Sequence, residues 1–139
     1  MNPIVSKLSP TATRMIRMDH AHVMSQFHKL EPDTGASVRG AVIRSICAAL
    51  EVHAQLEEEI FYPALRDAGI QSPALDKSVS EHEEMRRLIE RVRATGTDGE
   101  HQDDAIYELM NAVMHHVADE ETKLLHAAER QLGNEKLSE

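Results

Sequence analysis

The chain is 139 residues long, enough for one domain (1–139) with a self-sufficient core, and carries a formal charge of −9 spread along its length. Such a surface repels nucleic-acid phosphates and anionic membranes, so neither is an expected partner. No run approaches the roughly 18 apolar residues of a membrane span, residues 1–13 lack an apolar signal-type stretch, and the single Cys47 excludes an internal disulfide, which together predict a soluble, cytoplasmic protein.

Residues 1–8 read as a lead-in. Ser9-Pro10 has the pattern of a helix cap followed by a first-turn proline. The first helix is predicted over about 10–30, with Ile16, His20, Val23, Phe27 and Leu30 on its inner seam and His22 outside. Glu31-Pro32-Asp33-Thr34-Gly35 breaks the rhythm and makes a loop. The second helix runs over about 36–66 on a seam of Val42, Ile46, Ala49, His53, either Leu56 or Glu57, and Ile60. Pro63 must bend or restart its last turn, since it cannot donate to the carbonyl of Glu59, and Gly69 is a plausible stop. On this helix Cys47, flanked by Ile46 and Ala48, reads as a buried, inert thiol.

Ser72-Pro73 repeats the cap-and-proline pattern and opens a third helix over about 73–94, with Leu75, Val79, His82, Met85 and Ile89 inward. Thr95-Gly96-Thr97-Asp98-Gly99 is the clearest turn. A fourth helix over about 100–132 places Ile106, Leu109, Val113, His116, Glu120, Leu124 and Ala127 inward, and Gly133-Asn134 is expected to end it. No strand pattern competes, and no internal repeat is evident beyond two His–Glu pairs. The expected fold is all-α, an antiparallel up-down-up-down four-helix bundle.

Histidine is the compositional outlier, at nine residues. In antiparallel packing the mid-helix positions of His20, His53, His82 and His116 fall at similar depth. His53/Glu57 and His116/Glu120 are each four residues apart, which on a helix stacks imidazole and carboxylate about 5–6 Å apart at Cβ. Unpaired glutamate is almost never fully buried, and desolvating it costs several kcal/mol without a neutralising partner. No Lys or Arg occupies a seam position, so a metal is the expected source of positive charge. Nitrogen and oxygen ligands without thiolate point away from structural zinc and copper(I), and suit a dinuclear iron site; zinc or manganese suit the same donors.

Asp19-His20, the run from His53 through Glu57-Glu58-Glu59-Ile60-Phe61-Tyr62-Pro63, Glu81-His82, and His115-His116 followed by Glu120-Glu121 resemble, in order, the hemerythrin-like (HHE cation-binding) family. The resemblance covers about Ile16 to Ala128. It implies a bundle holding two irons, carboxylate- and oxo-bridged, on His20, His53, Glu57, His82, His116 and Glu120. It also implies a small diatomic or peroxide ligand: dioxygen, peroxide or nitric oxide. Oxygen carriers of this family place a His pair one turn apart on the third helix. Here Ser78 and Arg86 flank His82 at that spacing, so one His of the pair is missing and a coordination position is left for an oxidant, for Glu81 or Glu83, or for Tyr62 or Tyr107. On the fourth helix the seam favours His116, with His115 the alternative. Sensing or oxidative and nitrosative stress handling is the leading expectation. A catalase-like enzyme and an interaction module with a structural metal are the alternatives, and a homodimer is compatible with the sequence.

Overall fold

Helix α1 (Pro10–Phe27) begins on a proline, whose missing N–H costs nothing in a first turn. The computed structural model describes the backbone of residues 10–30, 34–70, 72–96 and 99–138, and side chains within 12–131 of those segments. The expected lead-in with its Ser9 cap, residues 31–33 of the first loop, Gln71 and residues 97–98 of the turn lie outside the described residues. All regular structure among the described residues is helical. No helix there is long and apolar enough to cross a membrane.

The second predicted helix is a rod in three parts: α2 (Ala36–Leu56), a π-helical turn (Glu57–Phe61) and α3 (Tyr62–Asp67). Its last glycine does the work expected of it, since Gly69 takes φ 81° just past α3. Helix α4 (Pro73–Thr95) is capped as its sequence suggests, with the Ser72 hydroxyl accepting from the Ala74 N–H at 3.1 Å. The last rod again has three parts: α5 (Gly99–Asp119), a second π turn (Glu120–Leu124) and α6 (Leu125–Ser138).

The π turns change the expected register. In each, an N–H reaches back five residues rather than four: Tyr62 to the carbonyl of Glu57, and Leu125 to that of Glu120. The extra residue rotates everything beyond it. Ile60, expected inward, is 42% exposed, and Phe61 and Tyr62 are buried in its stead. On the last rod Ala127 is half-buried and Ala128 fully buried. Pro63 follows the first π turn as the second residue of α3, where the helix has already been re-phased, so the rod continues through it. Gly133-Asn134 does not stop α6, which continues to Ser138. Both residues are poor but permitted in a helix's last turns, where Glu135, Lys136 and Leu137 favour continuation.

The apolar core comes in two clusters. One gathers Val23, Phe27, Ile43, Ile46, Leu50, Met85, Ile89, Ile106, Leu109 and Val113. The other gathers Ile16, Phe61, Tyr62, Leu65, Leu75, Leu124, Leu125 and Ala128. Along every rod the ligand-type residues fall between members of the two clusters, as His20 does between Ile16 and Val23. The bundle is therefore divided at mid-height by a buried polar layer.

Candidate metal centre

That layer contains all six residues singled out by spacing. His20, His53, Glu57, His82, His116 and Glu120 are at most 8% exposed, and both glutamates are fully buried. They form two overlapping groups: His20, His53, Glu57 and Glu120, and His82, His116, Glu57 and Glu120. Within each group, one ligand atom per residue lies within 4.8 Å of the others. Glu57 and Glu120 belong to both groups, as carboxylates bridging two ions would. Leu56, the alternative to Glu57 on the seam, is only half-buried. The His115 side chain is 62% exposed and faces Glu81 and Asp119, whereas His116 faces the layer.

The imidazoles stand close to the carboxylates and, for His82 and His116, whose Nε2 atoms are 3.2 Å apart, to each other. His20 Nε2 lies 3.1 Å from Glu120 Oε1, and His53 Nε2 3.0 Å from Glu57 Oε1. His82 Nε2 lies 3.1 Å from Glu57 Oε1, and His116 Nε2 3.4 Å from Glu120 Oε2. Neighbouring ligands on an octahedral ion with bonds of about 2.1 Å stand about 3 Å apart, which is the spacing found. Several of these short contacts are not aligned as hydrogen bonds. His20 Nε2, His53 Nε2, both oxygens of Glu57 and Oε1 of Glu120 are buried without a hydrogen-bond partner, as is the outer nitrogen Nδ1 of His82. A buried polar atom left so costs about 1–3 kcal/mol. Five such atoms gathered around two shared carboxylates fit a metal-binding site.

The electrostatics agree. Burial alone would push His53 and His116 down. The close approach and charge of the Glu57 and Glu120 carboxylates outweigh it, raising His53 to about 9 and His116 to about 10. Burial likewise pushes Glu57 up, but contacts with Glu120, His116, His53 and His82 hold it well below the usual carboxylate range. In the metal-free protein the layer is thus a set of mutually neutralising charges. Divalent ions can take the place of those protons.

Two further features bear on chemistry. The Tyr62 hydroxyl donates to Glu120 Oε2 at 2.6 Å and lies 3.3 Å from His82 Nε2, its ring stacked on that imidazole. Burial, then the charges of Glu57 and Glu120, push this phenol far above its ordinary value, so it stays a donor. On the other side of the layer is a space of about 10 Å³, lined by the four imidazoles with Val23, Leu50, Met85 and Val113. That is room for about one water-sized molecule. Of the other candidates for an open position, Tyr107 is 61% exposed and Glu83 is exposed. Glu81 bonds the outer nitrogen of His116 at 3.1 Å.

The sequence profile of the hemerythrin HHE cation-binding domain matches residues 11–128, spanning α1 to α6. The chain belongs to this family. Among curated proteins, a DNA nickase of Nostoc sp. (strain PCC 7120 / SAG 25.82 / UTEX 2576) is 31% identical over 121 residues, which is 87% of this chain and 34% of that protein. The chain therefore spans about a third of that relative's length. No solved structure matches it.

Spacing alone did not find the acids behind the imidazoles of this HHE domain. His53 Nδ1 lies 3.3 Å from Asp19, His20 Nδ1 3.0 Å from Glu121, and His82 Nδ1 3.5 Å from Glu58, the last too long for a full hydrogen bond. With Glu81 on His116, each imidazole has a carboxylate at its outer nitrogen. The signal was present as an acid beside a ligand: Asp19-His20, Glu57-Glu58, Glu81-His82 and Glu120-Glu121.

Proposed function

We propose that this HHE domain holds two iron ions on His20, His53, Glu57, His82, His116 and Glu120 and binds dioxygen, peroxide or nitric oxide there, in sensing or in oxidative and nitrosative stress handling. The observation that carries the reading is the group of orphaned buried atoms around two shared carboxylates. Zinc or manganese suits the same donors, so iron is the first metal to test. We propose further that the rods run antiparallel, up-down-up-down. Along the chain, α1 and α4 pass from the Tyr62 cluster to the Val23 cluster, while the second and fourth rods pass the opposite way, which supports this.

Bound iron supplies one-electron redox chemistry toward small oxidants. The chain's part would be to present the Nε2 lone pairs of four imidazoles by keeping the protons on Nδ1, and to offer Glu57 and Glu120, the carboxylates that both groups share. Val23, Leu50, Met85 and Val113 exclude bulk water from the small space beside the imidazoles and limit what fits there to a diatomic-sized ligand. Tyr62 holds Glu120 Oε2 and keeps a proton at its hydroxyl, next to His82.

Iron content of protein purified without added metal tests the first half, with two irons per chain expected. Exposing the iron-loaded protein to nitric oxide or azide tests the second, with new visible absorption expected. A centre that holds iron but responds to neither is a closed structural site, which refutes small-ligand binding. Peroxide disproportionation at the same centre is the enzymatic alternative, and oxygen evolution above that of free iron would establish it. The relative's name brings one more reading, action on a DNA strand. The charge of −9 opposes docking on a phosphate backbone, so supercoiled plasmid is expected to stay intact beyond the free-metal control.

A further inference from the structure

We infer that Asp19, Glu58, Glu81 and Glu121 are positioning residues ringing the metal layer, each set against the outer nitrogen of the next rod's imidazole, three of them bonding it and Glu58 just out of reach, with each pair serving one ion. The inference rests on the metal reading above and adds to it a second set of residues with a division of labour.

The ring is read from four contacts. Asp19 on α1 bonds His53 on α2, and Glu58 on the first π turn stands 3.5 Å from His82 Nδ1 on α4, an approach rather than a hydrogen bond, which leaves that nitrogen without a partner. Glu81 on α4 meets His116 on α5, and Glu121 on the second π turn meets His20 back on α1. Every rod gives one carboxylate and receives one, and every giver stands beside its own rod's inward residue. An imidazole whose Nδ1–H is held by a carboxylate has its Nε2 lone pair fixed in direction and made more basic. Two givers are braced from outside. Arg17 bonds Glu121 at 3.2 Å, and Arg86 bonds Glu58 at 3.1 Å. Asp19 and Glu121 act on His53 and His20, the imidazoles of one group; Glu58 and Glu81 act on His82 and His116, those of the other. The ring thus divides into two pairs, one for each ion.

Cobalt(II) titration of the metal-free full chain against a chelator tests this without any activity readout. Wild type is expected to bind two ions. Asp19→Ala should weaken one binding step about 10- to 100-fold and leave the other, and Glu81→Ala should do the same to the opposite step. Combining the two should weaken both. Asp19→Glu, which restores a carboxylate, should recover most of the loss, and Glu59→Gln, an exposed acid bonded to Gln55, should change nothing. Far-UV circular dichroism of each metal-free variant separates lost positioning from lost folding; if Asp19→Ala loses helicity, Glu121→Gln repeats the test on the same ion through His20. Two-ion binding with wild-type affinity in the variants overturns the ring and leaves the metal reading standing. Wild type that binds no cobalt overturns both.

Discussion

Tyr62→Phe removes the hydroxyl's short bond to Glu120 and its longer 3.3 Å contact with His82, and almost no volume, so its consequences can be worked from the structure. The lost O–H···Oε2 contact is 2.6 Å long, fully buried, and made to the carboxylate of Glu120. Bonds to charged groups contribute about 1.5–3 kcal/mol, and without it Glu120 has neither oxygen satisfied. For a chain of this size each kcal/mol moves the melting temperature by about 3–4 °C, so the metal-free variant should melt about 5–12 °C below wild type. Zinc-loaded protein should differ by less than half as much, because an ion then neutralises Glu120 and leaves an ordinary bond of about 0.5–1.5 kcal/mol to lose. The assay is a pair of melts followed by circular dichroism, with and without zinc. Equal melting of the metal-free pair would refute the bond. Equal losses with and without zinc would refute the claim that a cation sits against Glu120.

Other perturbations follow from the same geometry. Glu57→Gln takes a ligand from both groups at once, so bound metal should fall from two ions per chain to one at most, read by mass spectrometry of the purified variant. In the metal-free protein, His53 and His116 are raised from 6.5 to about 9 and about 10, so the stability they contribute is complete below pH 6.5 and lost as pH rises through 9 and 10. Glu57, lowered from 4.5, contributes above that value and loses its contribution as pH falls, so metal-free melting temperatures should peak between about pH 5 and 6.5. The π turn is tested by neighbours: Ile60→Lys should cost within about 0.5 kcal/mol, whereas Phe61→Ala should cost about 3–5 kcal/mol in urea unfolding. An uninterrupted α-helix would reverse that order.

The four rods and all six inward residues were legible because burial on a helix repeats every three or four positions, and His53/Glu57 and His116/Glu120 obey that rule. Ile60 and Ala127 were misplaced because the first lies within a π turn and the second just past one. Nothing in Glu57–Phe61 or Glu120–Leu124 marks a five-residue hydrogen bond; Pro63 hints that the first rod must yield, but the second π turn has no proline. There the Thr122 hydroxyl bonds the Ala118 carbonyl at 2.7 Å, a local competitor that sequence patterns do not weigh. The acids at the imidazoles' outer nitrogens were hidden for another reason. Asp19, Glu58, Glu81 and Glu121 sit at part-exposed positions, where a carboxylate is the commonest residue to find and carries no signal by itself.

The repeat in this chain exceeds its two His–Glu pairs, and the π turns are part of it. Buried positions of the first two rods have counterparts at a near-constant offset in the last two: Val23 with Met85, Phe27 with Ile89, Leu50 with Val113, Phe61 with Leu124, and Leu65 with Ala128. The imidazole pairs match too, His20–His53 and His82–His116 each having ring centroids 4.8 Å apart. Each half places a His and a Glu one α-turn apart, then needs its next large side chain under the same layer. An α-turn would carry that residue past the layer's edge; the additional residue of a π turn brings it back. In one half that residue is Tyr62, and in the other it is Leu125, fully buried and without a polar atom to offer. The phenol therefore bonds one shared carboxylate and stacks on one imidazole, with no counterpart on the opposite side. Two ion positions built from matching ligands thus differ through this one side chain, so the step that Tyr62→Phe alters in a metal titration should be the one assigned to His82 and His116.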